Sequence, residues 1–165
     1  MFDYTKTVVG LDVHKESIVA AVLPPDSDRV ALATKFENTP VALKTFVERL
    51  LSRGALTFVY EAGPCGYQVH RDLTAQGQVC VVIAPGLIPT RPGDKVKTDR
   101  RDAEKLAQLH RAGQLTAVNV PTRADEADRD LVRAREDVMS ERLRAAGFRL
   151  VVEKRPPDGE EEGVS

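Results

Sequence analysis

Seven consecutive residues, Thr7–Val13 (TVVGLDV), constrain this chain more than any other stretch. They are β-branched, aliphatic or small, with a single carboxylate and no polar face. A run of that kind predicts a strand in the middle of a sheet, covered on both sides. The carboxylate is Asp12. Side chains alternate along a strand, so Asp12 shares a face with Val8 and Gly10. A carboxylate among buried apolar groups is costly unless it is paired or holds a cation. A strand-end aspartate that caps a turn or pairs with Lys15 meets the same need.

The rest of the chain supplies partners for that strand. Ser17–Leu23 (SIVAAVL) predicts a second strand, Pro24–Asp28 a turn, and the alternating Arg29–Glu37 (RVALATKFE) a third strand. The short connections imply an antiparallel meander. Asn38-Thr39-Pro40 starts a helix whose apolar stripe is Leu43, Phe46, Val47, Leu50 and Leu51, with Gly54 closing it. Leu56–Glu61 (LTFVYE) predicts a fourth strand, Gly63–Gly66 a tight turn, and Tyr67–Gln76 a helix stopped by Gly77. Val79–Ala84 (VCVVIA) is apolar throughout, which predicts a parallel, interior fifth strand. A loop with basic residues spans Pro85–Lys97, and Thr98 caps a helix running to Ala112. A long charged helix follows from Arg123 to Ala146. Its thin stripe of Ala127, Leu131, Ala134 and Val138 is the pattern of a coiled-coil arm that needs a partner. The polar segment Glu153–Ser165 predicts disorder.

Three antiparallel strands followed by alternating helices and strands give an α/β mixed sheet of ribonuclease-H-like order, with a C-terminal helical arm. The predicted organisation is a sheet domain at 5–118, a charged helical extension at 119–150 and a disordered tail at 151–165. No stretch reaches the ~18 apolar residues of a membrane span, and the N-terminus has no apolar signal core, so a cytoplasmic protein is expected. Cys65 and Cys80 lack metal or redox spacing and read as reduced structural thiols.

Three more carboxylates stand where ligands bind in such sheets. Glu61 ends the fourth strand, before a glycine turn, at the edge where α/β sheets gather ligands. Asp99 and Asp102 are one helical turn apart at a helix start, on the stripe that continues into Leu106 and Leu109. The helix dipole alone would favour acids there, but it does not account for their inward stripe. Hard oxygen ligands converging on one edge suit Mg²⁺ or Mn²⁺, and paired ions of that kind serve phosphodiester exchange. A solvated strand end would also accommodate Glu61. His14 reads either as an exposed turn histidine or as a metal or phosphate contact. Tyr60 and Tyr67 read as core packing or as base-stacking platforms.

Net charge is −1 with a sequence pI near 6.3, which excludes a uniformly basic nucleic-acid binder and restricts such binding to local patches. The best candidate patch is Arg91, Lys95, Lys97, Arg100, Arg101 and Lys105, six basic residues interleaved with four acidic ones, Asp94, Asp99, Asp102 and Glu104. Phosphate contacts from such a patch fix position and carry no sequence information.

GLDVHK at 10–15, YEAGPCGY at 60–67 and KTDRRDAEKLA at 97–107 resemble, in order and spacing, the motif blocks of the insertion-sequence 110 family of DEDD transposases. The resemblance covers roughly residues 7–138, and KTDRRDA is its most specific block. It implies a RuvC-like catalytic domain with a quartet at Asp12, Glu61, Asp99 and Asp102, a magnesium cofactor, DNA as substrate, a guide (bridge) RNA and a homo-oligomer. Members of that family continue through a coiled coil into a second domain that supplies a nucleophilic serine. None of Ser17, Ser27, Ser52, Ser140 or Ser165 stands in that context, so the chain reads as a truncated member, unable to exchange strands alone. A non-enzymatic binding or dimerisation module and an autonomous junction-resolving nuclease are the competing readings. A sugar-kinase-type ATPase ranks below them, because Val13-His14-Lys15 replaces the small phosphate-admitting turn that such folds need after the first strand.

Overall fold

The strands are β1 (Thr7–Val13), β2 (Ser17–Leu23), β3 (Leu32–Glu37), β4 (Leu56–Glu61) and β5 (Val79–Ile83), in a computed structural model that describes residues 5–89 and 98–147. They form one sheet in the order β3-β2-β1-β4-β5. β1 is central, as its double apolar face requires. It pairs antiparallel with β2, from Val8↔Leu23 to Val13↔Ile18, and parallel with β4, from Thr7↔Leu56 to Leu11↔Tyr60. β2 and β3 are antiparallel, and β4 and β5 are parallel.

The helices are α1 (Pro40–Leu50), α2 (Gln68–Ala75), α3 (Asp99–Arg111) and α4 (Arg123–Ala145). The alternation along β1 shows which helix covers which face. Val9 and Leu11 join Leu43, Phe46, Val47 and Leu50 of α1 and Val69 and Leu73 of α2 in one core. Val8 joins Leu106 and Ala107 of α3 in another, on the opposite face. The sheet is therefore a layer between α1 and α2 on one side and α3 on the other. This is the ribonuclease-H-like arrangement that the element order predicts.

Three expectations need correction. The third strand starts at Leu32 and not at Arg29, because Arg29–Ala31 belongs to the turn region and only Ala31 N–H reaches back to the Val22 carbonyl, at 2.9 Å. Leu51 leaves the apolar stripe of α1. The helix ends at Leu50, and the next turn tightens so that Leu51 is 52% exposed. The third concerns β5, which is parallel but lies at the sheet edge with Val79 exposed. Its apolar faces reflect cover above and below, which says nothing about in-plane neighbours. Part of that edge is paired by the following segment, with an isolated bridge Ile83↔Ala117 and a 2.8 Å bond from Val118 N–H to the Val82 carbonyl.

The chain divides into two compact units, Met1–Val120 and Pro121–Ser165. In the second, α4 begins with a reciprocal cap: the Thr122 hydroxyl accepts from Asp125 N–H at 3.2 Å and the Asp125 carboxylate accepts from Thr122 N–H at 3.3 Å. Leu131 and Val138 of its apolar stripe are both exposed. Among the described residues no helix is long and apolar enough to cross a membrane. The expected disordered tail, 151–165, lies outside the described residues.

Candidate metal centre

Gly10 determines how close α3 comes to the sheet. A Cβ placed on Gly10 would drive into the Ala103 carbonyl oxygen and stand 2.9 Å from the Ala107 amide nitrogen. The helix backbone therefore rests directly on β1 where no side chain intervenes. One strand repeat beyond Gly10 is Asp12, and one helical turn before Ala103 is Asp99. The ~6.7 Å advance of two strand residues matches the ~6 Å advance of four helix residues. The two chains run in opposite senses, so Asp12 and Asp99 meet at the same end of the sheet.

His14 stands between them. Its Nε2 is 3.0 Å from Asp12 Oδ2 and 3.6 Å from Asp99 Oδ2. One ligand atom from each of Asp12, His14 and Asp99 lies within 4.8 Å of the others, the spacing of a metal-binding group. The turn that carries His14 is fixed on both sides. His14 N–H donates to the Ser17 carbonyl at 2.9 Å, and the Asn38 side-chain amide donates to the His14 carbonyl at 2.8 Å. From sequence alone His14 reads either as an exposed turn residue or as a metal or phosphate contact. The same-face spacing of Asp12 and His14, two residues apart where the strand ends, is the signal that favours the contact reading.

Asp12 carries the perturbed carboxyl. Burial pushes it above the usual aspartate range, the His14 charge and hydrogen bond pull it down, and Asp99 and Asp102 push it up again. Asp102 is thus close enough to act on Asp12 electrostatically, although it is outside the closest trio. It sits one turn along α3 from Asp99, on the same inward stripe as the buried Leu106 and Leu109. The Thr98 hydroxyl caps this helix by accepting from Arg101 N–H at 3.3 Å. The positive end of the helix dipole then favours both aspartates.

Glu61 occupies the neighbouring strand end. The β1–β4 register runs to Leu11↔Tyr60, and one residue further along each strand are Asp12 and Glu61. In-register residues of parallel strands share a face, so Glu61 belongs to the α3 side of the sheet. It is exposed and lies outside the 4.8 Å group. The glycine turn after it is held toward β1, because the Cys65 thiol donates to the Val13 carbonyl at 3.8 Å. Both cysteines are free, and burial pushes the Cys80 thiol up to about 12, which makes it inert. Tyr60 is buried, with its hydroxyl 3.4 Å from the Gly66 carbonyl that accepts from it, and Tyr67 packs partly on the same core. Both tyrosines take the packing role.

Of the basic patch, Arg100 is exposed and forms a 2.9 Å ion pair with Glu104, Arg101 is exposed, and Lys105 is half-buried. Arg91, Lys95 and Lys97 lie outside the described residues. Another arginine does structural work that the sequence does not announce. Arg111, at the end of α3, is buried and donates to the carbonyls of Pro24, Ser27, Leu23 and Lys6.

The donor set fits a divalent cation. Ligands at ~2.0–2.2 Å from one ion lie about 3 Å apart when adjacent, close to the 3.0 and 3.6 Å separations around His14 Nε2.

Comparison with known proteins agrees with the motifs. Residues 9–147 match the family model of the insertion-sequence 110 DEDD transposases, described as "Transposase". The y4qE protein of Sinorhizobium fredii, which carries a transposase name, is 43% identical over 135 residues, covering 81% of this chain and 35% of its own length. The transposase for insertion sequence element IS1533 of Leptospira borgpetersenii is 39% identical over 135 residues, covering 81% of this chain and 39% of its own length. This chain thus spans little more than a third of either relative. Among solved structures it is similar to T. thermophilus RuvC in complex with a Holliday junction substrate, with a TM-score of 0.46, 12% identity, 68% of this chain and 99% of that one covered. On the match across most of its length, the chain belongs to the DEDD transposase family of insertion sequence 110.

Proposed function

We propose that this chain is the catalytic domain of a DNA transposase that breaks and joins phosphodiester bonds with a divalent cation, Mg²⁺ or Mn²⁺. Asp12, Glu61, Asp99 and Asp102 are its catalytic and metal-holding residues. The observation that carries the reading is the convergence of Asp12 and Asp99 on one imidazole, although 86 residues separate them in sequence. Carboxylates crowd together at a cost unless a cation compensates them. When bound, such a cation supplies charge stabilisation at the scissile phosphate.

The protein groups divide the remaining work. Asp12 is anchored by β1 and Asp99 by α3, so the pair is held on rigid elements. Glu61 extends the acidic edge toward β4, where the attacking or leaving oxygen is to be oriented. Arg100, Arg101 and Lys105, continued by Arg91, Lys95 and Lys97, contact the DNA or guide-RNA backbone. The exposed Leu131 and Val138 stripe of α4 supports self-association through that helix. The unit boundary after Val120 supports a catalytic domain at 5–118 followed by a helical extension from 119.

Cleavage of a nicked or branched DNA by the purified protein, with and without Mg²⁺ or Mn²⁺, tests the assignment. We expect metal-dependent cleavage that Asp102→Ala lowers roughly 10- to 100-fold, about 1.4–2.7 kcal/mol in barrier. DNA binding without cleavage under any metal condition favours a non-enzymatic binding module instead.

A further inference from the structure

The carboxylate quartet does not account for His14. Its imidazole is the only nitrogen donor in the 4.8 Å group with Asp12 and Asp99. We propose that His14 Nε2 is itself a metal ligand, and that the resulting O,N,O set makes this site prefer a first-row transition dication over Mg²⁺. The proposal rests on the transposase reading above and names the cation which that site selects.

Three observations carry it. Nε2 stands at 3.0 and 3.6 Å from one oxygen of each aspartate, and the three ligand atoms lie within 4.8 Å of one another, a spacing suited to a shared ion. The turn holding His14 is braced by Ser17 and by Asn38, so the ring is presented from a fixed backbone. The ring is half exposed, so solvent and a dissolved ion can reach it. Imidazole suits first-row dications such as Fe²⁺, Ni²⁺ and Zn²⁺, with Mn²⁺ at the weak end of that series, whereas Mg²⁺ keeps oxygen ligands and gives up water reluctantly. One nitrogen added to two carboxylates therefore adds to Mn²⁺ binding, modestly, and adds still less to Mg²⁺ binding.

Mn²⁺ is the probe, with the whole 165-residue chain and no DNA. Pulsed electron paramagnetic resonance of the Mn²⁺-loaded protein is expected to show a nitrogen coupling that disappears in His14→Gln. Calorimetric titration is expected to show Mn²⁺ affinity falling about tenfold or more in that variant, with Mg²⁺ affinity changed less than threefold. Circular dichroism confirms that the variant is folded. Mn²⁺ bound in an Asp12-dependent way but without nitrogen coupling overturns the ligand assignment and leaves the transposase reading standing. Absence of Asp12-dependent Mn²⁺ binding overturns both.

Discussion

Gly10→Val is expected to destabilise the sheet unit by about 4 kcal/mol and to lower its melting temperature by more than ~10 °C. The first added carbon already collides with the Ala103 carbonyl oxygen and crowds the Ala107 amide. Both obstacles are helix backbone, so no rotamer change relieves them. Helix α3 has to lift from β1, opening the contacts of Val8 with Leu106 and Ala107. The same displacement carries Asp99 away from Asp12 and His14, so any metal-induced rise in melting temperature should vanish as well. Differential scanning calorimetry with and without Mn²⁺ checks both effects. A Gly10→Val protein that melts within 2 °C of the parent, a difference of roughly 0.5 kcal/mol, would contradict the close approach.

Arg111→Ala is expected to cost about 3–4 kcal/mol in urea unfolding. The guanidinium reaches the carbonyls of Pro24 and Ser27 at 2.5 and 2.7 Å and those of Leu23 and Lys6 at 2.9 and 3.3 Å. Truncation leaves these acceptors without that donor, at about 1 kcal/mol each net for the shorter three, and loses the packing of the stem. Arg111→Lys should recover less than half. Lysine keeps the charge but concentrates its donors on one nitrogen, which cannot span four carbonyls. Full recovery by lysine would show that charge at the helix end, and not the forked geometry, is what matters. The clamp joins the end of α3 to the β2–β3 turn, so it fixes the end of the helix opposite to Asp99.

These two residues show where the sequence was readable and where it was not. β1, β2, β4 and α3 follow directly from apolar runs and caps, because local pattern and tertiary burial agree there. β5 was legible as a parallel strand but not as an edge, since a strand's in-plane neighbours leave no mark on its side-chain periodicity. Helix α1 ends one apolar residue short of its stripe. Leu51 continues the stripe by spacing, yet the tightened last turn swings it to solvent.

The acidic residues were visible as a set because each stands at a strand end or helix start. Their convergence on one edge follows from the element order, but the close approach of Asp12 and Asp99 does not, because it depends on Gly10 lying beneath Ala103, a tertiary contact between residues far apart in sequence. Arg111 was invisible for a related reason. At the last turn of a charged helix an arginine reads as a favourable partner of the dipole, and only the returning β2–β3 turn makes it a buried clamp.

The proposed cation site is built on Asp12, with Asp99 beside it. The folded-state carboxyl of Asp12 is raised, so its ionisation weakens the fold as pH climbs from the ordinary aspartate value through the raised one, and that penalty persists at neutral pH. The direct measurement is the melting temperature of the parent protein and of Asp12→Asn at pH 7, each with excess EDTA and with millimolar Mn²⁺. The expected result is that Asp12→Asn melts above the parent in EDTA, while Mn²⁺ raises only the parent. An equal rise in both proteins, or none in the parent, would contradict a cation site built on Asp12.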